Sequence, residues 1–284
     1  MTGRGGLINK LCSPIISYIS YLAWNLNLQT MKTRVIFLIL ALFVFTGCAE
    51  LLKILQSAGE LPLTETEVIN GLKEALNTGA KNAAGRLSLE NGYYGDVLVK
   101  ILLPDEAKII VDNLSRIPGG DKLVEDVILR INRAAEDAAK EVAPIFINSV
   151  TQMTIKDAFG ILNGSDNAAT NYLRNTTYNE LYSLYKPKIQ ASTEKKIVGN
   201  ISTKDSWVTL TTKWNTLANS IAGKIAGLKP VNTDLDDFLT SKALAGMFMK
   251  VEDEELKIRK EVSARITPLL QRVFGSLDKK TTTN

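Results

Sequence analysis

From Thr64 almost to the carboxyl terminus, apolar residues recur three and four positions apart, and many of the segments that carry them open on capping signatures. Val68, Leu72, Ala75, Leu76, Ala83 and Leu87 form one stripe, introduced by Thr64 and Glu67, a pair able to satisfy two orphan backbone donors reciprocally. Val127, Ile131, Ala134, Ala138, Val142 and Ile145 form a second, punctuated at its start by Gly119-Gly120 and expected to kink or divide at Pro144. Trp207, Leu210, Trp214, Leu217, Ile221 and Ile225 follow Ser202 and Asp205 as a third. A stripe of this kind must be buried against another element, so the three faces are expected to pack on one another.

Further starts and stops divide the rest. Asn163-Gly164 reads as a helix stop, with Ser165 as the next N-cap. Thr177 with Glu180 reads as another capping box, ahead of Leu181, Leu184 and Tyr185. Thr233, Asp234, Asp236 and Asp237 crowd the start of the segment bearing Leu235, Phe238 and Leu239, where anionic side chains meet the positive end of a helix. Thr267-Pro268 opens a short helix, closed at Gly275, with Leu269, Leu270, Val273 and Phe274 inward. One stretch, "VLVKILLP" from Val97 to Pro104, reads equally as a buried strand or an extended connector, and nothing else in the chain could pair with it as a sheet. The fold class expected is all-α: a multi-helix bundle in one compact domain over 63–277, followed by a polar tail, 278–284, that frays.

Ahead of the domain stands a different kind of signal. Lys32 and Arg34 precede "VIFLILALFVF", an uncharged run of eleven residues that suits a secretory core segment and is too short to span a bilayer. Thr46, Gly47 and Cys48 follow at once, a pattern that resembles a bacterial lipoprotein signal over 31–47, in which Cys48 becomes the acylated amino terminus. Residues 48–62 then serve as a tether. Residues 1–30 lie upstream of a signal that has its own Met31, and read as an extension ahead of the true start; the alternative is a second membrane-associating segment from Ile15 to Leu26. Ala49, rather than aspartate, beside the cysteine points to the outer membrane, facing the periplasm.

Charge and composition then narrow the chemistry. The chain holds 34 basic and 30 acidic residues; the first 47 contain four basic residues and no acidic one, so the remainder balances at 30 against 30. Without a basic excess, nucleic-acid binding is not expected. There is no histidine, which removes histidine-based catalytic triads, histidine metal sites and histidine pH switches together. Acylation of Cys48 would remove thiol chemistry. Ser183–Lys186, Ser192–Lys195 and Ser276–Lys279 spell Ser-x-x-Lys, but all follow Ser165-Asp166-Asn167, and no Lys-Thr-Gly completes the acyl-enzyme set.

Carboxylates remain. In "EDEELKIRKE", Asp253–Lys257 and Glu255–Arg259 stand four apart, acid first, as on a solvated helix face. Asp234, Asp236 and Asp237 lack the alternation and central glycine of a calcium loop. Asp157, between apolar neighbours, is the one carboxylate that burial could raise in pKa, but a capping or packing role is expected of it before an acid–base one. No metal and no cofactor is expected. Tyr172, Tyr178, Tyr182 and Tyr185, with Trp207 and Trp214, are read as core packing rather than as a groove for sugar or lipid.

Two blocks carry a family likeness. "DAFGILNGSDNAATNYL" (157–173) and "DLDDFLTSKALAGMFMKVEDEELKIRK" (234–260), followed by "TPLLQRVFG", with "GLKEAL" and "NRAAEDAA" earlier, resemble the bacterial domain-of-unknown-function family numbered 4197. The resemblance runs from about Leu63 to Gly275 and implies a helical envelope protein, often lipid-anchored, with no assigned reaction. These blocks are richer in polar residues than packing requires, so a shared ligand or partner site is expected from Asp157, Asn171, Tyr172, Asp234 and Asp237, with the first three near the 234–249 segment. The expected function is a lipid-tethered module that binds or scaffolds an envelope protein or apolar ligand. The alternatives are a carboxylate-dependent envelope enzyme acting on glycans and a passive structural lipoprotein.

Overall fold

The computed structural model describes residues 62–113 and 119–281. Cys48 and the signal segment lie outside the described residues. Ten α-helices lie among the described residues: α1 (Glu65–Leu87), α2 (Lys108–Val111), α3 (Gly120–Ala139), α4 (Val142–Gln152), α5 (Ala158–Leu162), α6 (Ala168–Glu194), α7 (Thr203–Asn219), α8 (Ile221–Ile225), α9 (Leu235–Lys260) and α10 (Pro268–Thr281). No strand occurs among the described residues, and the fold is an all-α bundle.

Local chemistry explains most helix starts. Thr64 and Glu67 form the reciprocal capping box on α1, and Ser202 and Asp234 cap α7 and α9 by accepting from Asp205 N and Asp237 N. Most of the three sequence stripes is buried: Val68, Leu72 and Leu76; Val127, Ile131 and Ala138; Trp207, Leu210 and Trp214, with Leu217 half-buried. The third ends there, because α7 stops at Asn219 and Ile221 and Ile225, placed on the separate α8, are exposed rather than buried. Pro144 divides the second stripe. It falls in the first turn of α4, where its missing N–H would have had no intrahelical partner anyway. The break also resets the face, so that Phe146 rather than Ile145 enters the core.

Three expectations fail for reasons outside local sequence. Thr177 starts no helix: it lies inside the 27-residue α6, its hydroxyl donating to Leu173 O at 2.6 Å. Ser165 is not the N-cap of α6. Asn167 holds that position, and its amide reaches instead to Glu252 of α9. Gly275 does not close α10, because the next turn brings Asp278 to Arg265, with oxygen and nitrogen 2.9 Å apart.

α9 is the central element, packed against α1 and α6 and antiparallel to both. Glu255, Phe248 and Asp237 of α9 meet Thr170, Tyr178 and Tyr182 of α6 in turn. Gly246 lets the Tyr93 ring approach so closely that a Cβ there would sit 2.8 Å from it. Likewise Gly71 of α1 admits Val273 of α10, where a Cβ would meet a methyl at 2.7 Å.

"VLVKILLP" is a connector. Val99 and Ile101 point inward while Val97, Leu98 and Leu102 stay exposed. Val97–Val99 form a turn, with Val99 N and Lys100 N donating to Asp96 O, and beyond it the backbone pairs with a side chain rather than with a second strand. The amide of Asn132, fully buried on α3, accepts from Ile101 N at 2.9 Å and donates to Ile101 O at 2.7 Å.

Candidate functional site

A cleft of about 550 Å3 opens over the carboxyl-terminal half of α3. Its floor is Leu129, Arg133, Glu136, Asp137 and Lys140; one wall is Ser88 and Glu90 after α1, the other the Ile197–Gly199 segment after α6. The helical repeat places Arg133, Glu136, Asp137 and Lys140 beside the alanine stripe that faces the core. The α6–α7 segment is held in place by Arg130, which donates to Val198 O, to Ile201 O at 2.7 Å and to Asp126 at 2.6 Å. Gly199 takes φ +61°, the left-handed turn this path requires.

The charges of the cleft are paired with one another. Glu136, 4% exposed, accepts from the backbone N–H groups of Tyr93 and Tyr94 at 3.1 and 3.0 Å, and its other oxygen accepts from Arg133 at 2.5 Å. Arg133 also donates to Asn91 at 2.9 Å and to Glu90 at 3.2 Å. Asp137 accepts from Lys140, Ser192 and Lys195. Burial pushes its carboxyl up, but the hydrogen bonds from Lys195, Lys140 and Ser192 outweigh that and hold it below the usual carboxylate range.

The residues expected to share a site are divided between two places. Asp157 is exposed rather than buried: it caps α5, accepting from Gly160 N at 2.7 Å. Tyr172 donates to Thr154 O at 2.8 Å, and Asn171, half-buried, contributes its backbone N–H to Asn167 O within the first turn of α6. This block packs on the carboxyl-terminal part of α9, through Asn167–Glu252, Thr170–Glu255 and Asp166–Lys260. Asp234 and Asp237 lie at the opposite end of α9. With 26 residues in that helix, the two groups are separated by most of about 39 Å. Asp234 is a cap. Asp237 accepts from Lys186 and from Tyr182 at 2.6 Å, which hold its carboxyl below its ordinary value. Burial, and the same bond from its side, push the Tyr182 hydroxyl up to about 12.

The polar contact that the first block does make is buried. Glu255 and Arg259, expected on a solvated face, are 2% and 4% exposed. Glu255 accepts from Ala169 N, Thr170 N and the Thr170 hydroxyl at 3.0, 2.7 and 2.7 Å, so a carboxylate of α9 caps the amino terminus of α6. Arg259 pairs with Glu255 at 2.7 Å and donates to Leu162 O and Ile161 O, closing the carboxyl terminus of α5. Asp253 and Lys257 also choose other partners, Lys250 and Glu254. Tyr185, Trp207 and Trp214 are core, while Tyr172, Tyr178 and Tyr182 are half-buried against it.

Every carboxylate with a resolved shift among the described residues (Glu67, Asp96, Asp137, Asp237, Glu254 and Asp278) is held below its ordinary value. A general acid at neutral pH requires the opposite. Among the described residues no group of three or more acidic or thiol side chains is placed to hold a metal ion, and no helix is long and apolar enough to cross a membrane. The α3 cleft itself presents paired charges beside Leu129, Ile197 and Val198. Sequence reasoning passed over Arg133, Glu136 and Asp137, although "NRAAEDAA" carries them. Their signal was a set of charges flanking an alanine stripe.

No curated protein and no solved structure matches the chain. One family model does, over residues 62–275, which is all of the bundle but its last helical turns. The chain therefore belongs to the family described as protein of unknown function DUF4197.

Proposed function

We propose that this protein is a lipid-anchored component of the bacterial envelope, acylated at Cys48, held on the periplasmic face of the outer membrane, and that its helical domain binds a partner polypeptide in the α3 cleft. The anchor reading rests on the basic pair, the eleven-residue apolar run and the small residues that lead to Cys48. The observation that carries the binding reading is the Arg133–Glu90 contact. The Arg133 side chain is 15% exposed and anchored through Glu136, while Glu90 is 79% exposed and meets it at 3.2 Å. An exposed pair like this contributes little to stability. A carboxylate from a partner can therefore replace Glu90 on a guanidinium already aimed at it, with Leu129, Ile197 and Val198 as apolar surroundings.

Two measurements test the two halves. Cys48→Ala is expected to abolish labelling by a palmitate analogue and to leave an unprocessed precursor; processing and labelling as before would remove the anchor. A photo-crosslinking residue at Ile197 is expected to give a discrete adduct with an envelope protein in living cells, weakened by Arg133→Gln and absent from Ile225. No adduct from Ile197, or an equal one from Ile225, would remove the cleft as the binding surface.

A further inference from the structure

We infer that the bundle meets the bilayer with one end, formed by α5, the last turn of α9 and the α9–α10 loop, and that Phe159, Val262 and Ile266 are its apolar contacts. The inference rests on the anchor reading above and adds which face of the domain the membrane covers.

The three side chains are 41%, 67% and 70% exposed, although each has a buried neighbour in its own segment: Leu162, Ile258 and Arg265. They stand on a rigid base. Arg259 donates to Leu162 O at 2.7 Å and Ile161 O at 3.1 Å, tying α5 to the end of α9. Arg265 donates to Ile258 O and Arg259 O, both at 2.9 Å, folding the following loop back onto the same turn. Hydrogen bonds thus tie to one another the segments that carry these three exposed apolar side chains.

The chain enters the domain at this end. Thr64 caps α1, Glu67 meets Arg272 of α10 at 2.8 Å, and Gly71 lies against Val273. Leu63 is fifteen residues from Cys48. Fifteen residues span about 22 Å as a helix, about 22 Å root mean square as a coil and at most about 50 Å fully extended. The Asp234 end of α9 lies about 39 Å further along the bundle. A larger apolar pair, Ile221 and Ile225 at 82% and 83% exposure, sits on α8. α7 starts beside Asp236, with Lys204 3.7 Å from it, and the chain returning to Asp234 runs along α7 from Lys229, whose carbonyl accepts from Trp214. That pair is therefore on the Asp234 side of the bundle, away from Thr64, where the described chain enters it. The near end carries both signs of charge, Lys260 pairing with Asp166 at 2.9 Å, so its contact with lipid is apolar rather than polybasic.

The test uses the acylated mature protein that begins at Cys48, in which Cys48 is blocked and Cys12 has left with the leader, so that one introduced cysteine is a unique labelling site. Phe159→Cys, Val262→Cys, Ile266→Cys and, as the control, Ile225→Cys are labelled with a polarity-sensitive fluorophore. Each is then placed in vesicles of phosphatidylethanolamine and phosphatidylglycerol. The expected result is a rise and blue shift of emission at 159, 262 and 266 on vesicle binding, none at 225, and no loss in 1 M salt. Mass spectrometry of the same samples reports the lipid on Cys48. An acylated protein with no shift at 266, or an equal shift at 225, overturns the orientation and leaves the anchor standing. Blue emission at 266 before vesicles are added shows that part of the chain itself covers this face, and overturns it as well. An unacylated Cys48 removes both readings.

Discussion

Glu255–Arg259 and Glu136–Arg133 are the same pair of side chains in two settings, at helical spacings of four and three. At the first, both partners are buried and, apart from the pair itself, their side-chain hydrogen bonds run to other elements: the amino terminus of α6, the carboxyl terminus of α5. At the second, the carboxylate is buried and secures the Tyr93–Tyr94 backbone, but the guanidinium turns outward to an exposed Glu90. The first arrangement has no contact to spare and joins three helices. The second has one contact that exchanges cheaply with a ligand. What separates structure from recognition here is how many of the donors are committed to buried backbone.

The sharpest way to break this comparison is Glu255→Ala. It strips the cap from α6, leaves Thr170 N–H unpaired and strands a buried guanidinium. A loss of about 3–5 kcal/mol in urea unfolding is expected. A loss below about 1 kcal/mol would mean that the node is no more structural than the cleft. Asn132→Ala tests the neighbouring claim that a side chain replaces a second strand. Freeing the N–H and C=O of Ile101 is expected to cost about 2 kcal/mol, with protection from amide exchange lost at Ile101.

Acid titration reads other carboxylates of the bundle, among them Asp137 in the cleft and Glu254 beside the buried node. The six carboxylates with lowered values have folded pKa values below their unfolded ones, Glu67 falling to about 2 through its bonds from Thr64 N, Arg272 and the Thr64 hydroxyl. Their contribution is therefore full above the unfolded values near 4 and is lost as pH falls through the folded ones. With no histidine in the chain, stability measured by thermal melting is expected to be flat from about pH 6 to 8 and to drop below about pH 4.5. A step between pH 6 and 7 would contradict this. The smallest effect belongs to the exchangeable contact. Glu90→Ala is expected to change stability by less than about 0.5 kcal/mol, which chemical denaturation can check, while altering crosslinking from Ile197.

Local sequence was a good guide wherever the partner of a group lay within one helical turn. Thr64 with Glu67, Ser202 with Asp205 and Asp234 with Asp237 are caps in the structure because donor and acceptor are three residues apart. The same rule misled at Thr177, whose hydroxyl has the carbonyl of Leu173 in the preceding turn, inside a continuous helix. It misled again at Glu255 and Arg259. Their spacing permits a surface pair, but residues 85 to 98 positions away in the chain bury it.

The sequence by itself determined the helical class, the three buried faces and the family, because apolar periodicity and capping are written within a few residues of where they act. Only the tertiary structure decided which charges are sealed and which remain exchangeable. Burial and long-range hydrogen bonds depend on which helices meet, and helical spacing alone cannot distinguish Arg133 in a cleft from Arg259 in the core.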